Sequence, residues 1–126
     1  MPQRDELYPA DIVEAIRKIA RRMDGVSAHR WNDDDILRDA VVYQMQIIGE
    51  AASSLSENVR SEITAIPWRE VQSFRNIIVH HYFAIDWSTV WDTARNDVPG
   101  LEQELLEFLR QRFPEIAKRF DDEGPR

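Results

Sequence analysis

Three features of these 126 residues predict an all-α fold, an antiparallel bundle of four to five helices. Apolar residues recur at helical spacing through most of the chain, glycine is limited to four positions, and no alternating apolar and polar run is long enough to make a strand. The absence of an interdomain linker predicts one helical domain over residues 1–120, and the closing Asp-Asp-Glu-Gly-Pro-Arg reads as a loose tail over 121–126.

The first helix is expected from Pro9 to Met23, where Ile12, Ile16 and Ile19 form one apolar stripe and Asp24-Gly25 ends the run. Ser27 to Asn32 reads as a loop. The second and longest helix begins in Asp33-Asp34-Asp35, whose carboxylates can cap free amides and favour the positive end of the helix dipole, and it reaches about Leu55. Along it, Ile36, Ala40, Tyr43, Ile47 and Ala51 recur at core spacing. Gly49 lies inside this helix, where glycine costs about 1 kcal/mol relative to alanine, so close approach by another backbone is expected there. Pro67 suits the first position of a third helix, because its missing amide is not needed there. Asp86 suits the N-cap of a fourth, which turns Trp87, Val90, Trp91 and Ala94 to the core. Pro99-Gly100 interrupts or kinks it before Leu101, Leu105, Phe108 and Leu109 continue as an amphipathic piece.

A chain of this length can bury about two thirds of its unfolded surface in one core and needs no covalent staple. Cysteine is absent, which excludes disulfides, thiolate nucleophiles and cysteine-based zinc sites and fits a reducing cytoplasm. The amino terminus has no apolar signal core and no stretch approaches the roughly 20 apolar residues that span a bilayer, so a soluble cytoplasmic protein without a membrane partner is expected. Sixteen basic against 23 acidic residues leave a net charge of −7, which argues against binding duplex nucleic acid through a broad basic surface. Nucleic-acid chemistry must then rest on a concentrated cluster.

One such cluster exists, in Arg75-Asn76-Ile77-Ile78-Val79-His80-His81-Tyr82. On a continuous α-helix, which turns about 100° per residue, Arg75, Asn76 and His80 share a polar arc, while Val71, Phe74, Ile77, Ile78 and His81 share an apolar face. That separation assigns His80 to chemistry and His81 to packing. A guanidinium beside a carboxamide and an imidazole suits cleavage of a phosphodiester in RNA. Arginine can grip the nonbridging oxygens with two prongs and stabilise the charge added in the transition state, and histidine can move the protons near neutral pH. No metal or cofactor is needed.

Acid and base roles together ask for two histidines, and a symmetric dimer supplies the second by packing two third helices across a twofold axis, with Val79 as an apolar contact. The plainer alternatives are a surface Arg75 paired with Glu70 or Glu50, an ordinary surface amide at Asn76 and a half-buried aromatic at Tyr82. Asp33-Asp34-Asp35 lacks the alternating ligands and turn glycine of a calcium loop, and His29 has no partner at ligand spacing.

Arg75, Asn76, His80 and Tyr82 match the Arg-x-x-x-x-His-x-Tyr signature of the HEPN superfamily, and the chain resembles the HepT-like toxin family in particular. The blocks Ile47-Ile48-Gly49-Glu50-Ala51, Ile66-Pro67-Trp68, Phe83-Ala84-Ile85-Asp86 and Val90-Trp91-Asp92-Thr93 follow in the family's order, so the resemblance covers most of residues 8–112. It implies a dimeric helical bundle acting as a metal-independent endoribonuclease, with RNA, transfer RNA among the candidates, as substrate. It further implies a small nucleotidyltransferase antitoxin as partner. Arg75 and His80 would be catalytic, Asn76 would position the phosphate, and Tyr82 would accept AMP from the antitoxin, which would block the cleft and set negative charge opposite Arg75. The acidic chain departs from what an RNA-binding enzyme would show. That leaves a second class open: a non-enzymatic nucleotide- or partner-binding subunit of a nucleotidyltransferase complex.

Overall fold

The computed structural model of the chain describes residues 5–76 and 84–123. Every regular element among them is helical, as the periodicity predicts. Four helices are long: α1 (Leu7–Met23), α3 (Asp35–Ser54), α7 (Pro99–Arg112) and α8 (Pro114–Glu123). Four are short: α2 (Ala28–Asp33), α4 (Glu57–Glu62), α5 (Trp68–Gln72) and α6 (Trp87–Asp92). The core lies where α1 packs on α3 and α7, with α8 closing over α7.

Helix α1 buries Ile12, Ile16 and Ile19 as its stripe requires, together with Val13 and Ala15. Its end is set by Gly25, whose φ of 71° is the left-handed conformation that glycine adopts without steric penalty, and Val26 N–H donates back to Met23 O at 3.1 Å. The expected loop at 27–32 is instead mostly α2. Ser27 is its N-cap, accepting from Arg30 N–H at 3.1 Å, and a helix of six residues is too short for apolar periodicity to reveal. Asp34 caps α3 by accepting from Leu37 N–H at 2.9 Å, so the acidic run is a cap as read.

The buried face of α3 differs from the one the spacing suggested. Leu37, Val41, Met45, Ile48 and Ala52 point inward; of the expected stripe Ala51 is buried and Ile47 packs against the core, whereas Ile36 is 79% and Tyr43 60% exposed. Both sets recur at helical spacing on neighbouring faces, and the packing of α1, α5 and the 3₁₀ turn after α5 against α3 decides between them. At the carboxyl end, helix α8 continues through Asp121 and Glu123, where a loose tail was expected. Asp121 pairs with Arg110 at 2.7 Å, and the Arg17 guanidinium, only 3% exposed, donates to Phe120 O at 2.6 Å and reaches Glu123 at 3.3 Å and Glu102 at 3.5 Å.

Helix α6 starts at Asp86 as expected, the carboxylate accepting from Ser88 and Thr89 N–H at 3.1 and 3.2 Å. Val90 and Ala94 are buried, and Trp87 and Trp91 pack inward against Trp31, whose indole N–H donates to Trp87 O at 3.0 Å. Between α6 and α7 the chain makes a π turn over Thr93–Asp97, with Val98 N–H donating to Thr93 O at 3.0 Å. Pro99, which has no amide to donate, then opens α7.

Candidate active site

The third helix is interrupted before Arg75, and the chain is helical again at Asn76, where the described residues stop. Pro67 is the N-cap of α5 and not its first residue, the α-helix ends at Gln72, and Ser73–Arg75 form a 3₁₀ turn. A tighter turn winds about 120° per residue, so the α-helical wheel does not carry through from Val71 to Arg75. Three inward residues three apart fix this piece. The Trp68 indole N–H donates to Ile63 O at 3.0 Å and Arg60 O at 3.2 Å, Val71 is buried, and Phe74 packs against the core.

Gly49 completes the seat. A Cβ built on it would lie 2.4 Å from the Arg75 backbone nitrogen and 3.1 Å from both Phe74 C and Phe74 Cβ, so the close backbone approach expected at this glycine is present, and the approaching residue is Arg75. Arg75 and Asn76 are exposed at the end of the turn. Among the described residues, the Arg75 guanidinium has no hydrogen bond or ion pair, and Glu50 and Glu70 form no ion pair. Pairing with either glutamate, the plainer reading of this arginine, is therefore not what the fold provides.

His80, Tyr82, Val79, Ile77, Ile78 and His81 lie outside the described residues. The chain is anchored on both sides of them: Phe74 before, and after them Ile85 against the core with Asp86 capping α6. The Ser88 hydroxyl, donating to Asp86, and the Ser88 and Thr89 contacts around it hold this carboxyl below its ordinary range. Beside the 3₁₀ turn a cavity of about 440 Å³ has Met45, Phe74 and Val90 as apolar wall, with Ser73, Thr89 and Thr93 adding hydroxyls. His29, which lacked a ligand-spaced partner, sits on α2 and meets Asp33 at 3.2 Å.

Sequence reasoning missed two residues that shape this region. Trp31 ties α2 to the start of α6, and Trp68 ties α5 to the end of α4; only their indole bonds to distant carbonyls reveal those roles.

The family model for "Ribonuclease HepT-like" matches residues 12–108. The chain belongs to the HepT-like family. HepT-like relatives include "Probable ribonuclease HepT" of Thermococcus cleftensis, 32% identical over 75% of this chain and 86% of its own length. Another is "Putative RNase TTE0752" of Caldanaerobacter subterraneus subsp. tengcongensis, 29% identical over 82% of this chain and 93% of its own. A third, "Putative RNase MJ1380" of Methanocaldococcus jannaschii, is 29% identical over 83% and 97%. No solved structure matches. Among the described residues, no helix is long and apolar enough to cross a membrane.

Proposed function

We propose that this chain is the toxin of a toxin–antitoxin pair, a metal-independent endoribonuclease acting in the cytoplasm as a homodimer. One observation carries the reading: in a HepT-like chain, the motif arginine stands exposed on a turn seated against α3, with no carboxylate neutralising it among the described residues. A guanidinium so presented can take two nonbridging oxygens of a phosphodiester and meet the charge that grows on them in the transition state.

In the proposed reaction, the 2′-hydroxyl oxygen attacks phosphorus and the bond from phosphorus to the 5′-oxygen breaks. His80 of one copy takes the hydroxyl proton, and His80 of the other gives a proton to the departing oxygen. Arg75 holds the phosphoryl oxygens and Asn76 orients them. Ile36 and Tyr43, large apolar side chains open to solvent on α3, support association of two copies. Restraint comes from a nucleotidyltransferase antitoxin that moves AMP from ATP to the Tyr82 oxygen and releases pyrophosphate, which sets negative charge opposite Arg75. The net charge of −7 favours a second reading, a binding subunit without catalysis.

The test is cleavage of a mixed RNA pool in chelator by the purified chain and by His80→Ala. Cleavage by the parent and loss in the variant support the nuclease. Equal cleavage by both removes His80 from the site, and none by either favours the binding subunit. Sedimentation of an active monomer would end the shared-site model, and AMP addition that persists in Tyr82→Phe would end the role given to Tyr82.

A further inference from the structure

We infer that Gly49 is a positioning residue for Arg75, setting through its missing side chain where the guanidinium stands. The inference rests on the ribonuclease reading and adds to it a residue of another helix. Gly49 is buried in the interior of α3, a place where alanine is the better helix former, so local helix stability does not explain the glycine. Its surroundings do. The atom nearest to a Cβ at this position would be the backbone nitrogen of Arg75 itself, at 2.4 Å, followed by backbone and Cβ atoms of Phe74 at 3.1 Å. None of these is the movable end of a side chain, so no rotamer change relieves the contact.

Carbon packs against other heavy atoms at roughly 3.5–4.0 Å, so a methyl group at Gly49 must push the 3₁₀ turn away from α3 by about 1 Å. The turn has little freedom to absorb that shift elsewhere, because Trp68 and Val71 fix α5 immediately before it. Displacement therefore passes to Arg75. A misplacement of about 1 Å in a group that meets the transition state can cost about 100-fold in rate. Gly100 offers a matched control: a Cβ there meets nothing within 4 Å.

The test uses the full chain on a fluorescent mixed-sequence RNA pool in chelator, comparing Gly49→Ala, Arg75→Ala, the double variant and Gly100→Ala. Expected are a fall in kcat of about 100-fold for Gly49→Ala, parent activity for Gly100→Ala, and a double variant no slower than Arg75→Ala alone. That non-additivity is what a merely structural glycine would not give. Full activity of Gly49→Ala beside an inactive Arg75→Ala, or losses that multiply in the double variant, would overturn the inference and leave the nuclease reading standing. Full activity of Arg75→Ala would overturn the inference and remove Arg75 from the proposed site, and no cleavage by the parent would overturn the nuclease reading itself. If Gly49→Ala does not fold, the parent chain still decides: a nuclear Overhauser cross-peak between Gly49 Hα and the Arg75 amide proton supports the seat, and its absence overturns it.

Discussion

Arg17 and Arg75 carry the same group into opposite surroundings. Arg17 is buried where α1 meets α7 and α8; it donates to Phe120 O, reaches Glu102 and Glu123, and lies over the Phe120 ring at 5.3 Å. Arg75 is exposed at the end of a short turn and has no such bond among the described residues, although its backbone nitrogen lies so close to α3 that a Cβ on Gly49 would be 2.4 Å from it. The difference shows how one residue type serves two ends. Where the side chain is engaged, the arginine holds helices together; where only the backbone is engaged among the described residues, the guanidinium stands exposed, as the proposed phosphate contact requires.

Three substitutions or conditions can break or sharpen that contrast. The largest effect is expected from Arg75→Ala: RNA cleavage falls by about 10²- to 10³-fold, as on removal of a group aimed at transition-state charge, while unfolding stability changes by no more than about 0.5 kcal/mol. Parallel turnover and urea-unfolding measurements check both halves. Arg17→Ala should do the reverse. It leaves the buried Phe120 carbonyl without its donor and costs about 2–3 kcal/mol in urea unfolding, with the folded fraction cleaving RNA at the parent rate.

The smallest effect concerns acid. Asp86 is held low by Ser88 and Thr89, Asp34 by the Leu37 amide and Arg30, and Asp121 by Arg110. A carboxyl whose folded pKa is depressed adds stability above its unfolded value, near about 3.9, and loses that contribution as pH falls through the folded value. Asp11 works the other way. Burial, then Glu14, raises it, so its contribution is best when protonated and falls as pH rises through the window just above its ordinary 3.8. Melting Asp86→Asn beside the parent from pH 6 to pH 3 should show a parent advantage that shrinks on acidification; a constant gap would remove Asp86 from the acid response.

The sequence made most of the first of these two regions legible, yet not Arg17. The Ile12, Ile16 and Ile19 stripe, the Asp34 and Asp86 caps and the Leu105 and Leu109 seam follow from spacing and cap chemistry, which are local. The partners of Arg17 lie 85 to 106 residues away, and local pattern carries no trace of them. For α3, two apolar stripes compete, and the inward one is selected by the elements packed on it, α1, α5 and the 3₁₀ turn. At the site, Arg75 and Asn76 were legible from residue type and order, and Gly49 from the cost of glycine inside a helix. The break from α-helix to 3₁₀ turn at Ser73 was not legible, because Gln72-Ser73-Phe74 contains neither proline nor glycine to announce it.

The most direct test of an Arg75 open to an external phosphate is to watch both guanidinium groups at once. In ¹⁵N-labelled protein, an RNA oligonucleotide made uncleavable by 2′-deoxy sugars should shift the Arg75 side-chain Nε–H signal and leave that of Arg17 in place. An Arg75 signal that stays put while RNA binding shifts other resonances would contradict the account.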